Sequence, residues 1–325
     1  MRSFKERSPK LFLLITLATA CSFLIINVAL MASTVGIPTS SSERLCSPIQ
    51  KRLEEATRSP SPKVVLIGGS GVRAGFSAED LSQQLNANVF NFGLQAALGL
   101  DVILFESKKI LKPGDTAVLA FEYNQFYDSK WNSIRLSYIL GCATDWFEQL
   151  SLSDKFTALL AVETKRLLDI LLYKLQGEKV VKVNAEVPLN RFGDRDRSSF
   201  PKLSEEDKYR LSLYQPIQFE FDEESNQAAT FKEFLKYAHR HDIKVIVTWP
   251  NTIYHDEYHK LDTFAPLENF FASLGVVVVG EPELAMYPIE AFYDTQYHLN
   301  YDAIKVRSKD FSDKLHKEGI QIKNN

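Results

Sequence analysis

The chain has 325 residues, 45% apolar and 24% charged, which is the composition of a folded globular protein rather than of a disordered or fibrous one. Its net charge is −3; Arg2, Lys5, Arg7 and Lys10 against Glu6 give the first ten residues +3, leaving about −6 on the rest. An acidic body offers no electrostatic footprint to a phosphate backbone, so a nucleic-acid partner is not expected. No CxxC or paired-histidine spacing appears, and neither a metal nor another cofactor is expected.

Residues 11–31 carry no charged side chain. A helix of that length spans about 30 Å, the hydrocarbon thickness of a bilayer. The basic residues before it predict a cytoplasmic tail over residues 1–10, a transmembrane helix over 11–31, and a translocated remainder. That makes the chain a single-pass membrane protein with its C-terminal domain periplasmic or at the cell surface. A cleaved signal peptide is the alternative, but its apolar region runs only about 7–15 residues. Ala18-Thr19-Ala20-Cys21 is a faint lipoprotein-like site, yet apolar residues continue well past Cys21. With Cys21 in the membrane, Cys46 and Cys142 remain; in an oxidising compartment they could pair or stay as two buried thiols.

Residues 32–62 read as a linker with one short helix near residues 50–56, ending in Ser59-Pro60-Ser61-Pro62. Residues 63–68 (KVVLIG) predict a strand, 78–85 a short helix, 88–92 a second strand, 98–111 a helix, and 116–122 a third strand. The alternation then stops over an insertion at about residues 131–225, containing a leucine-rich helix over 155–176 and a polar tract around 191–199. That helix could touch the membrane or line a groove, although burying its leucines on the main sheet is the plainer expectation. The rhythm resumes with a helix over 228–241, a strand over 244–248 (KVIVT), a helix over 260–274, a strand over 276–279 and a closing helix over 301–317. Short apolar strands alternating with helices predict an α/β fold of the flavodoxin-like, three-layer α/β/α class. Its sheet would have five parallel strands, with the ligand site at the strands' carboxyl ends.

The first strand runs into Gly68-Gly69-Ser70-Gly71-Val72-Arg73-Ala74-Gly75. Gly69, Gly71 and Ala74 match a dinucleotide GxGxxA fingerprint, but the second strand ends Asn91-Phe92-Gly93 without the acidic residue that fingerprint needs. The other reading makes Ser70 a nucleophile, which requires a base and an oxyanion site elsewhere. Tyr293-Asp294-Thr295-Gln296-Tyr297-His298 supplies a carboxylate and an imidazole in one loop before the last helix. His255 and His259 follow the fourth strand and could line a pocket; His239, His241 and His316 fall on helix surfaces or ends.

Over residues 63–122 and 228–317 the chain resembles the SGNH (GDSL-like) hydrolase superfamily. Gly68-Gly69-Ser70 is similar to that family's nucleophile block, with Gly69 in place of the usual aspartate. Gly93 resembles the glycine that donates to the oxyanion, with the turn over residues 96–99 as an alternative, and Asn124 the asparagine donor after strand three. The terminal block is normally Asp-x-x-His; here Asp294 precedes His298 by four positions and Thr295 stands at the usual acid position. The resemblance implies a catalytic Ser70, His298 and Asp294, and an oxyanion hole from Ser70, Gly93 and Asn124. It further implies an esterase or O-acetyltransferase acting on acylated cell-envelope carbohydrate. A non-catalytic accessory of a membrane acyltransferase partner is the competing expectation.

Overall fold

The computed structural model describes residues 9–127, 131–176, 188–258, 263–320 and 322. The chain divides into two compact units, one of Met1–Cys46 with Trp131–Val183 and the other of Ser47–Lys130 with Asn184–Asn325. In chain order the helices begin with α1 (Pro9–Ala32) and α2 (Ser40–Arg58). Next come β1 (Val64–Gly68), α3 (Ser70–Arg73), α4 (Ala78–Leu85), β2 (Val89–Gly93), α5 (Leu100–Lys108) and β3 (Thr116–Leu119). Then follow α6 (Ser133–Gly141), α7 (Thr144–Glu148), α8 (Leu152–Leu160), α9 (Lys165–Gln176), α10 (Glu205–Ser212) and α11 (Asn226–Arg240). The chain ends with β4 (Lys244–Thr248), β5 (Thr252–Ile253), α12 (Ala265–Ser273), β6 (Val277–Val279), β7 (Met286–Tyr287) and α13 (Tyr301–Lys317).

The second unit is the expected α/β fold. Its sheet is all parallel in the order β2-β1-β3-β4-β6, the flavodoxin-like order when only main-sheet strands are counted. Every residue of β1, β2 and β3 is buried, as parallel strands covered on both faces must be. Val64, Leu66, Val118 and Ile246 pack with Leu81 of α4 and with Phe311 and Leu315 of α13. The third strand is shorter than expected: Ala120 still donates to Ile67 O, then the chain turns into a 3₁₀ segment at Tyr123–Phe126. The edge of β2 is covered, since Asn91 N–H donates to Phe192 O at 2.8 Å, which removes an exposed pairing edge. At the opposite ends of the strands Lys63 and Asp115 form a buried ion pair, and Asp115 also accepts from Lys63 N and Lys112 N. A two-strand parallel pair, β5 with β7, was not expected from the sequence.

Helix α1 is long and apolar enough to cross a membrane; Arg2, Lys5 and Arg7 lie outside the described residues. Beyond α1 the structure departs from the expectations for the linker, the leucine-rich helix and the insertion. The supposed linker contains a 19-residue helix, α2, whose Arg52 donates to Asn91 O and Gly193 O. The single leucine-rich helix is two helices, α8 and α9, separated at residues 161–164, where Val162 turns inward and is buried. Most of its leucines are not buried: α8 and α9 belong to the first unit, and Leu160, Leu168, Leu171, Leu172 and Leu175 are exposed, whereas Leu159 is buried. The insertion is accordingly divided, with its later part, from Asn184, joining the α/β unit.

Within the first unit Cys46 and Cys142 are disulfide-bonded, with Cα atoms 5.9 Å apart. Buried Arg166 of α9 donates to Thr34 Oγ1, Thr34 O, Ile37 O and Leu140 O. Close approach fixes Gly141, where a Cβ would collide with Ser42.

Candidate active site

Ser70 opens α3 at the carboxyl end of β1, and the glycines around it are there for space. A Cβ on Gly68 would strike Ala120 O; one on Gly69 would come within 2.9 Å of both Ala96 and Glu122 Oε1. The chain can therefore turn directly from the buried strand into a one-turn helix that presents Ser70 at the sheet edge. The turn over residues 96–99 lies against Gly69 for the same reason.

The partner of Ser70 is a residue that the sequence motifs did not single out. Ser70 Oγ donates to Glu122 Oε1 at 3.2 Å, and Gly71 N–H donates to the same oxygen at 2.7 Å. Glu122 is placed there by the end of β3. Its N–H donates to Gln125 Oε1 at 2.9 Å, and Gln125 Nε2 reaches Ala96 O. Burial pushes the Glu122 carboxyl up from its ordinary value, against the Gly71 hydrogen bond, the field of His298 and the Ser70 hydrogen bond, which all pull it down. Because Glu122 occupies the Gly71 N–H, that amide is not free for a dinucleotide pyrophosphate, and α3 is only four residues long.

His298 and Asp294 meet. Nδ1 of His298 lies 2.7 Å from Asp294 Oδ1, so the four-residue spacing closes as a turn and orients the ring. The loop is tied down on both sides: Leu299 N–H donates to Ala74 O at 2.9 Å, directly behind α3, and Asn251 Nδ2 donates to Tyr297 O. Phe292 and Leu299 are fully buried with Phe200 and Ile304, and Tyr293 stacks on the His298 ring at 5.6 Å. Thr295 holds only the backbone, accepting from His298 N–H at 3.3 Å. His298 is near enough to Glu122 to act on its charge, but the hydrogen bond of Ser70 goes to Glu122 rather than to His298.

The two remaining oxyanion candidates lie at the end of β2 and on the 3₁₀ turn after β3. Gly93 N–H is already given to Asn91 Oδ1 at 3.0 Å, and a Cβ there would collide with the Arg73 backbone, so this glycine serves the packing of α3 on β2. Asn124 is exposed on the 3₁₀ turn. The sequence signal that could have found Glu122 is an ionisable residue immediately after a buried strand, at the same sheet edge as the Gly-Gly-Ser turn. Of the other histidines, His255 packs edge-on against Tyr258, and His259 lies outside the described residues.

Arg73, three residues after Ser70, gives the site a cation. Burial, and then the neighbouring Arg195, lower its pKa to about 10, so it stays charged at neutral pH. Arg73, Arg195 and Arg197 line a cavity of about 900 Å³ with Phe200 and Tyr301. Burial, followed by the nearby Asp294, pushes Tyr293 up to about 12, so its phenol remains neutral between these arginines and His298. Among the described residues no group of three or more His, Cys, Asp or Glu is placed to hold a metal ion. No protein-family model matches the chain, and no curated protein does.

Proposed function

We propose that this chain is a membrane-anchored, SGNH-like serine esterase or O-acyltransferase acting on acylated cell-envelope carbohydrate. In this reading α1 is the anchor and the α/β unit lies outside the cytoplasm. The observation that carries the catalytic part is the hydrogen bond from Ser70 to buried Glu122, with the Asp294–His298 pair in electrostatic reach of the same carboxylate.

A nucleophilic hydroxyl needs a proton acceptor within hydrogen-bond range, and Glu122 already stands there. Its raised pKa makes it a stronger base than an ordinary carboxylate. As Ser70 Oγ bonds to the acyl carbon, its proton passes to Glu122 and negative charge appears on the acyl oxygen. Glu122 thereby loses the charge that held Gly71 N–H, and that amide becomes available to the new oxyanion. Collapse breaks the bond to the leaving alkoxide, which takes its proton from the His298 imidazolium held by Asp294. In the second half a water or a carbohydrate hydroxyl attacks the acyl-serine and gives its proton to His298. Ser70 recovers its own proton from Glu122, so every group returns to its starting state.

The test uses the full-length protein in detergent. It should release acetate from an activated ester, and Ser70→Ala and His298→Ala should each lower that rate by about 10³-fold or more. Glu122→Gln should be comparably inactive. In the wild type the acid limb should lie above the ordinary carboxylate range, because the base must be ionised and its pKa is raised. Asp294→Ala should cost less, as it orients rather than exchanges protons. A reporter fused after Asn325 should be extracytoplasmic; a cytoplasmic signal would overturn the orientation.

One observation favours the accessory reading: Ser70 and His298 are not hydrogen-bonded to each other. If a serine-reactive phosphonate fails to label Ser70 in the wild-type chain, the accessory role replaces the enzymatic one.

A further inference from the structure

The first unit carries an apolar surface that its own fold leaves uncovered. On α9, Arg166 and Ile170 are buried one turn apart, while Leu168, Leu171, Leu172 and Leu175 are 54%, 53%, 41% and 74% exposed. At about 100° per residue the four leucines centre roughly 170° from the Arg166–Ile170 face, so the stripe points directly away from the unit's interior. On α8, Leu152, Phe156 and Leu160 recur every fourth residue and are exposed as well.

α8 packs against α1, and α9 is fastened to the segment that follows it. Along α1 exposure falls only at Asn27, Val28 and Met31, near its C-terminus. Counted from Leu11 at about 1.5 Å per residue, a hydrocarbon core of about 30 Å ends near Leu30. Those three positions therefore mark the level at which the chain leaves the membrane. Arg166 of α9 reaches the same level, donating to Thr34 at 3.1 Å and to Ile37 O at 2.9 Å. Trp131, a residue type suited to the headgroup layer, donates from Nε1 to Thr157 of α8 at 3.1 Å. Lys165 and Lys174 are exposed on the two sides of the α9 stripe, where their ammonium groups can meet lipid phosphates.

We propose that the outward apolar faces of α8 and α9 lie in the interfacial layer of the bilayer that α1 crosses. The helical unit is then an interfacial foot as well as the base of an anchor. The assignment rests on the anchor reading of α1 and not on the catalytic one. It commits to lipid as the occupant because the stripe is tied to the point where a lipid-crossing helix ends.

The experiment uses the full chain with Cys21→Ser, so that an added cysteine is the free thiol and Cys46–Cys142 stays intact. Leu17→Cys, Leu171→Cys, Leu175→Cys and, at an exposed position of α11, Lys236→Cys are each labelled with an environment-sensitive fluorophore. Each is then reconstituted into phosphatidylcholine–phosphatidylglycerol vesicles. All four positions are exposed, and circular dichroism confirms that each variant is folded. Labels at 171 and 175 should be quenched severalfold more than the label at 236, and best by lipids with the nitroxide near the carbonyl. The label at 17 should respond best to a nitroxide near the chain end. If 17 is quenched while 171 and 175 behave like 236, the interfacial assignment is wrong and the anchor stands. If 17 is not quenched, both fall. Shielding of 171 and 175 in native membranes but not in pure lipid would show that a protein covers the stripe, and would also overturn the assignment.

Discussion

The α/β unit turns its large apolar side chains inward, from Val64 and Ile246 on the sheet to Phe311 on α13, whereas the helical unit turns Leu152, Leu168, Leu171 and Leu175 outward. A region that exposes its leucines has fewer left for a core of its own. The helical unit compensates with pins: a disulfide spanning 96 residues, a buried arginine serving three backbone carbonyls, and Arg135 between the Trp131 and Trp146 rings. In the α/β unit comparable polar contacts sit at the sheet's ends and at the site, and the apolar layers between them carry the fold. Stability should therefore be lost in different ways in the two regions.

The sharpest way to break that contrast is to cut the disulfide. Cys142→Ser should destabilise the helical unit by up to about 4–5 kcal/mol, the value for closing a loop of roughly 100 residues. Hydrogen exchange should rise across α6 to α9, while β1, β3 and β4 keep their protection. Loss of protection in the sheet to the same extent would mean that the two regions do not differ in this respect.

The next effect belongs to the α/β unit and depends on pH. Asp194 accepts from Ala78 N, Glu79 N and Asn91 Nδ2, and burial raises its pKa from 3.8 to about 6. A carboxyl whose folded pKa is raised contributes stability below its unfolded pKa and loses it as pH rises through about 6. The stability of wild type relative to Asp194→Asn should therefore fall by at most about 3 kcal/mol between acid and neutral pH. Denaturant titrations across that range test this, and parallel slopes for the two proteins would refute it. Exchange in the helical unit should show no such dependence.

Arg166→Met should cost the helical unit about 2 kcal/mol, because Thr34 O, Ile37 O and Leu140 O lose a donor they share. The helix itself should persist, since methionine is a good helix former. Exchange should rise first around residues 34–37, and a uniform rise across α9 would argue that the arginine does more than hold that loop.

Legibility in the sequence divides along the same line. Runs such as KVVLIG and KVIVT announce strands because a parallel strand covered on both faces is apolar along its buried stretch, and β1 and the buried residues 246–248 of β4 lie where those runs are. The Asp294–His298 pair was also visible, since both groups lie in one loop. Glu122 was not, because the motif read in AFEYNQF pointed to Asn124 and the role of Glu122 depends on a contact with Ser70, 52 residues away. The split of the insertion was equally hidden. Arg166 and Thr34 are 132 residues apart, and no local pattern announces that a leucine-rich helix will dock by its arginine and leave its leucines outside.

The smallest effect compares the same bond in both regions. Ser151 caps α8, accepting from Asp154 N at 3.1 Å, and Ser225 caps α11, accepting from Ala228 N at 3.2 Å. Replacing such a cap by alanine usually costs about 1 kcal/mol. Behind Ser225 stand Phe231 and Phe234, fully buried, so fraying of α11 would disturb the core; Ser225→Ala should therefore lower global stability by about that full amount. Behind Ser151 stands Leu152, 86% exposed, so the first turn of α8 can open without uncovering a core. In detergent-free buffer with the chain in vesicles, that leucine has lipid to meet if the interfacial assignment holds, and the turn should open less readily than in a weakly binding detergent. Ser151→Ala should thus leave global stability within about 0.5 kcal/mol of wild type. Its exchange should rise only over the first turn of α8, and less in vesicles than in detergent. Equal global losses for the two serines would show that α8 is built into a cooperative core after all, and the contrast between the regions would then rest on the disulfide alone.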